Sequence, residues 1–219
     1  MFKAYSLITP VIFLAFVLLY AGCRSKPEEQ EGEDNLDANE NIDTTGDEGN
    51  FTLTMIQGDK VFGAALRNGK DTADVVADVR GDGNEWDIRC YRDANQKVVL
   101  SFADGKTNWI LSDKMEGLDA KGALPPGYAI EIAAAHITDS KVLDILCVVG
   151  NGSKMVNMTI YQYTPQSHNM FSRIGALEGE SFFLITRSKT IEAPFGTKGL
   201  PRTYSWNGSS FEELQDPAF

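Results

Sequence analysis

Beyond residue 70 the chain alternates apolar and polar positions with a period of two. Short runs of Val, Ile, Thr, Tyr and Phe are broken by clusters of Gly, Asn, Asp, Ser and Pro. Such alternation marks strands with one buried face, and the clusters mark turns. The pattern predicts strands at Asp74–Val79, Trp86–Tyr91, Val98–Phe102 and Trp109–Leu111. It continues with Ala129–Ala134, Asp144–Val149, Met155–Tyr163 and Phe171–Ile174, then Phe182–Ile185, Thr190–Ala193, Thr203–Trp206 and Phe211–Leu214. No stretch after Gly69 keeps a 3.6-residue period over three turns. Residues 51–69 carry a weaker signal. Phe51, Leu53 and Met55 alternate, Gly58-Asp59 offers a turn, and Val61 to Leu66 offers a return. The expectation is an all-β domain with at most a short helix near its start.

A worn internal repeat adds to this. Asp87-Ile88-Arg89-Cys90 and Asp144-Ile145-Leu146-Cys147 share an Asp-Ile-x-Cys pattern at an offset of 57 residues. Each is followed by a hairpin that carries aromatic residues, and a third such hairpin is Arg202 to Phe211. Within it Asn207-Gly208 predicts a two-residue type I′ turn, whose central positions both need positive φ. Units of four strands recurring every 40–60 residues or so point to blades of a β-propeller. About three such units are present, which makes a small or incomplete propeller; a β-sandwich is the alternative.

The loop Asp78-Val79-Arg80-Gly81-Asp82-Gly83-Asn84-Glu85-Trp86-Asp87 resembles the calcium loops of FG-GAP/VCBS-type propeller repeats. The resemblance implies Ca2+ ligation by Asp78, Asp82, Asn84 and Asp87, because alternate positions of such a loop turn oxygens toward a hard cation. Arg80 stands where the third ligand belongs and brings positive charge instead. The competing reading is a turn pinned by an Arg80 pair with Asp78 or Asp82, and it is favoured. The second copy, from His136 to Asp144, has His, Thr and Ser at the first ligand positions and is not expected to bind Ca2+.

Cys90 and Cys147 occupy matched repeat positions. In a propeller, matched positions of neighbouring blades point the same rotational way and do not meet. In a sandwich they face each other across the core at about 5.5–6 Å between Cα atoms. Two buried reduced thiols are therefore expected, with no Cys90–Cys147 disulfide.

The first 23 residues follow another pattern. Lys3 precedes an apolar run from Tyr5 to Leu19, and small Ala21 and Gly22 lead to Cys23. This small-small-Cys ending resembles the lipobox of bacterial lipoproteins, with Tyr20 where that family usually has Leu. The resemblance implies a signal peptide over residues 1–22, a fatty acid such as palmitate on Cys23, and a place in the bacterial cell envelope outside the cytoplasm. An uncleaved anchor is the other reading, since residues 5–22 give 18 mostly apolar positions and a spanning helix needs about 17–25. Pro10 and the lone Lys3 favour the signal peptide.

From Lys26 to Asn50 there are ten acidic residues and one basic one, a net −9 of the formal −11. Only Leu36, Ala38 and Ile42 are apolar there, so residues 23–50 are expected to be a disordered acidic tether ahead of a domain over 51–219. The balance also argues against nucleic acid as a partner, because the sequence shows no basic patch to neutralise phosphates.

Candidate chemistry is sparse. His136 and His168 are the only histidines, which excludes a multi-histidine zinc site. No nucleophile elbow, phosphate-binding loop or His-x-x-x-His is present. Trp86, Trp109, Trp206, Tyr161, Tyr163 and Tyr204 offer either a platform for a glycan or protein ligand or cross-strand core pairs. The expected function is therefore binding or scaffolding from a membrane-anchored domain, leaning away from catalysis. The alternatives are a carboxylate-dependent hydrolase, which needs no sequence motif, and a purely structural envelope protein.

Overall fold

The computed structural model describes residues 51–214 apart from positions 59, 64, 68, 69, 112–114, 139, 140, 169 and 196–200. The expected lipid attachment at Cys23, the signal over 1–22 and the tether over 23–50 lie outside the described residues. So does the unit Met1–Thr45; every described residue belongs to the second unit, Gly46–Phe219.

The described residues are all-β, with no helix, and fall into three sheets. The first is a four-stranded antiparallel meander of β3 (Thr72–Ala77), β4 (Trp86–Arg92), β5 (Val98–Ala103) and β6 (Asn108–Leu111). The second is a meander of β7 (Ala129–Ala135), β8 (Asp144–Gly150), β9 (Met155–Tyr163) and β10 (Phe171–Glu180). The third runs through β11 (Phe183–Ile185), β12 (Ile191–Pro194), β13 (Pro201–Trp206) and β14 (Phe211–Leu214). These three consecutive units are the expected architecture, and they close no barrel.

The N-terminal segment behaves differently from a simple hairpin. β1 (Thr54–Ile56) lies parallel to β11, and β2 (Lys60–Phe62) lies antiparallel to β7. Each thus satisfies the backbone of an edge that would otherwise stand open. Glu131 fastens this segment, accepting the Leu53 N–H at 3.0 Å and pairing with Arg67 at 3.3 Å. Burial pushes its carboxyl above the ordinary carboxylate range, against the Leu53 hydrogen bond and the Arg67 charge.

The second sheet is the middle layer. All seven residues of β8 are buried, and their alternation serves two cores at once. Ile145, Cys147 and Val149 face the first sheet, where Val75, Trp86, Ile88, Cys90 and Phe102 meet them. Leu146 and Val148 face the third sheet, against Phe183, Ile185, Ile191 and Ala193. A bulge between Arg173 and Gly175 turns β10 from one core to the other, so that Phe171 enters the first and Leu177 the second.

Cys90 and Cys147 therefore point into the same core from opposite sheets, the face-to-face relation of a sandwich, and both are free thiols. Burial pushes the Cys90 thiol up to about 12. Cys147 is raised well above its ordinary value by burial first and by the neighbouring Cys90 second. Since the thiolate is the reactive form, iodoacetamide at mildly alkaline pH is expected to leave both unmodified in the folded chain. Both should be alkylated once the chain is unfolded, as read by peptide mass mapping. Rapid native labelling of either would contradict this packing.

One turn departs from expectation. Asn207-Gly208 is not a two-residue type I′ turn. Trp206 pairs with Phe211 across a loop of residues 207–210, and only Gly208 takes positive φ, at 101°. The Asn207 side chain accepts the N–H groups of Ser209 at 2.8 Å and Ser210 at 2.9 Å. That local capture competes with the tighter turn.

Candidate functional site

Each sheet joins its first two strands by a turn. These are residues 78–85 between β3 and β4, 136–143 between β7 and β8, and 186–190 between β11 and β12. The first and second are in close contact. Gly81 has φ +69°, and a Cβ there would sit 2.7 Å from the Lys141 carbonyl oxygen. Only glycine tolerates both the conformation and the approach.

In the first turn Asp78 is the hub. Its two carboxylate oxygens accept the backbone N–H groups of Gly83 at 2.7 Å, Gly81 at 2.8 Å, Arg80 at 3.2 Å and Asp82 at 3.3 Å. Desolvation pushes this carboxyl upward, but the backbone hydrogen bonds, Gly83's foremost, outweigh it and hold the group below its usual value. Asp82 accepts the backbone and side-chain N–H of Asn84, both at 3.1 Å, and pairs with Arg80 Nε at 3.1 Å. The Arg80 guanidinium also lies 5.4 Å from the centre of the Tyr163 ring.

Asp87 does not join this group. It lies one residue into β4 and is taken by Arg89 of the same strand, whose Nε is 3.1 Å from Oδ1. Of the four residues named for Ca2+, the structure thus brings together Asp78, Asp82 and Asn84 and sends Asp87 elsewhere. Among the described residues no group of three His, Cys, Asp or Glu side chains is arranged to hold a metal ion. Since a cation would have to displace the backbone N–H groups and Arg80, millimolar Ca2+ is expected to leave Tm unchanged. A clear rise that disappears in Asp82→Ala would overturn this.

The second turn is held from below by Asp144, which is fully buried. It accepts the Ile137 N–H at 3.1 Å, the Thr138 N–H at 2.9 Å, the Thr138 hydroxyl at 3.1 Å and Gln162 Nε2 at 3.1 Å. His136 Nδ1 lies 3.0 Å from the Val142 carbonyl, which orients the ring. The third turn closes with Thr186 N–H on the Thr190 carbonyl at 2.9 Å and places Lys189 at φ 64°.

Between the second and third turns lies a cleft of about 590 Å³. Ile56, Ala135 and Ile185 form its apolar walls, and His136, Lys141, Arg187 and Lys189 its polar ones. A second cleft of about 370 Å³ adjoins it across Arg187 and Lys189, and is lined further by Thr138, Ser188, Ser205 and Trp206. Here the structure adds what sequence reasoning missed. Arg187 and Lys189 belong to no motif, and His136 and Lys141 figure in the sequence only as part of a second loop copy not expected to bind Ca2+. They converge only because β8 and β11 pack across one core. Of the aromatic residues considered as a platform, Trp86 and Tyr161 are buried and Trp109 and Tyr163 pack against the same core. Tyr204 packs against the second core. Trp206 lines the second cleft. No protein-family model, curated protein or solved structure matches this chain.

Proposed function

We propose that the chain is an exported, lipid-anchored binding module whose ligand enters the cleft between the β7–β8 and β11–β12 turns. The observation that carries the binding half is the cleft itself, concave and part apolar with a few convergent polar groups, which is the usual form of a ligand site. It is built from turns whose backbones are fixed from within: Asp144 holds one, and the Thr186–Thr190 hydrogen bonds hold the other. A rigid frame with variable turns is how binding surfaces are commonly mounted.

The anchoring half is supported by the sequence that ends at Cys23 and by the acidic spacer after it. A tether with almost no apolar residue separates a domain from a surface without docking on either. Labelling of growing cells with an alkyne fatty acid is expected to mark the chain and to place it in the membrane fraction. Both results should be lost in Cys23→Ser. An unlabelled wild-type chain would overturn the anchor. Turnover of ester, peptide or glycoside substrates that a single carboxylate change abolishes would overturn binding without catalysis.

A further inference from the structure

We infer that the ligand of this cleft is an acidic saccharide, with a carboxylate received by Arg187 and Lys141 and a sugar ring laid against Trp206. The inference rests on the binding reading above and names its ligand class.

The charge of the cleft is opposite to that of the chain. Residues 51–219 carry a net −4 within a formal −11, yet the described residues lining the larger cleft include Lys141, Arg187 and Lys189 and no carboxylate. Among the described residues, neither the Lys141 ammonium nor the Arg187 guanidinium is engaged by an acid. Cations gathered in a concave site repel one another and focus the field on an incoming anion. The Arg187 fork matches the two oxygens of a carboxylate, and Lys141 adds a point charge from the facing turn. The ring of His136, set by its contact with Val142, stands beside them.

The adjoining cleft decides what carries the carboxylate. It combines the Trp206 indole with the hydroxyls of Ser188 and Ser205. A sugar ring needs that pairing, with an apolar face for its C–H groups and hydroxyl partners for its rim. Arg187 borders both clefts, so one residue can hold the acid while the next ring of the chain lies on Trp206. An acidic peptide would use the cations alone; the Trp206 indole flanked by hydroxyls is what favours a saccharide.

The test is a calorimetric titration of the full chain with four probes: tetragalacturonate, galacturonate, maltotetraose and inorganic phosphate. Tetragalacturonate should saturate and bind about tenfold or more tighter than galacturonate, while maltotetraose gives no saturable heat. Arg187→Ala should weaken both acidic sugars by about tenfold or more, the scale of one charge-assisted contact. Trp206→Ala should bring the tetramer down toward the monomer and leave the monomer unchanged. Lys189→Gly removes a further cation while suiting the positive φ at that position; it should weaken the acidic sugars too.

Phosphate binding as tightly as tetragalacturonate would overturn the saccharide. Maltotetraose binding that ignores Arg187→Ala would overturn the acidic ligand and keep the cleft as a binding site. No saturation with any probe would overturn the inference, while failure of fatty-acid labelling bears only on the anchor.

Discussion

Trp86→Ala is expected to lower the stability of the folded chain by about 3–5 kcal/mol, near the top of the range for a single core truncation. Trp86 is 1% exposed and sits where the first and second sheets meet. It stacks on Trp109 at 5.0 Å and presents edges to Phe171 at 5.6 Å and Tyr163 at 5.8 Å. Phe171 in turn stacks on Phe102 at 3.7 Å. These rings come from β4, β6, β9, β10 and β5, so the truncation opens a void between two sheets rather than within one. Rigid strands on both sides cannot collapse into it, which is the condition for the larger penalties. Trp86→Phe makes a useful partner. The indole N–H has no hydrogen-bond partner among the described residues, so Phe forfeits only volume and about 1–2 kcal/mol. Guanidinium unfolding followed by far-ultraviolet circular dichroism would separate the two. An Ala variant within about 1 kcal/mol of the wild type would show that this cluster does not join the sheets.

The strands were legible because half-buried strands write their pattern locally. Each of the twelve expected from Asp74 onward overlaps an observed strand, and the Asp78 turn could be read from its Asp and Gly spacing. What could not be read is what depends on distant partners. β1 pairs with β11 across more than a hundred residues, and nothing near Thr54 encodes that choice. β10 extends through Glu180 although Gly175 and Gly179 resemble breakers. Both are small because another sheet approaches: a Cβ at Gly175 would lie 2.6 Å from the Phe211 ring, and one at Gly179 would lie 3.0 Å from Ala193 Cβ. The matched Asp-Ile-x-Cys segments suggested blades turned the same way, yet Cys90 and Cys147 share one core. Sequence similarity records a local strand conformation; which face meets which neighbour is set by the packing of whole sheets. The cleft suffers the same limit, since Lys141 and Arg187 come to line one cleft only after the second and third sheets have packed.

Asp144→Ala is expected to cost about 3 kcal/mol or more, and its size follows from what it strands. The carboxylate, itself fully buried, holds the Ile137 and Thr138 N–H groups, the Thr138 hydroxyl and Gln162 Nε2. Alanine would leave several buried donors without an acceptor, each worth about 1–3 kcal/mol of desolvation, partly recovered as the turn relaxes. Asp144→Asn keeps the shape and one acceptor oxygen but sets an N–H₂ against donors, so an intermediate loss is expected. The pH dependence identifies the charged form. Burial raises the Asp144 carboxyl above its ordinary value, outweighing the hydrogen bonds that favour ionisation. The folded chain therefore takes up this proton before the unfolded one does. As pH falls from neutral toward the unfolded-state value of about 3.9, this group's contribution to stability becomes more favourable; it becomes less so as pH rises through the folded value. The difference in unfolding free energy between the wild type and Asp144→Asn should widen as the solution is acidified over that interval. A difference that stays flat, or narrows, would mean that the hydrogen bonds rather than burial govern this carboxylate. The turn that Asp144 holds also carries His136 and Lys141 into the cleft, so the Ala variant should lose anion binding at temperatures below its unfolding transition. Arg187→Ala, which touches no part of this network, should lose binding while keeping the wild-type Tm.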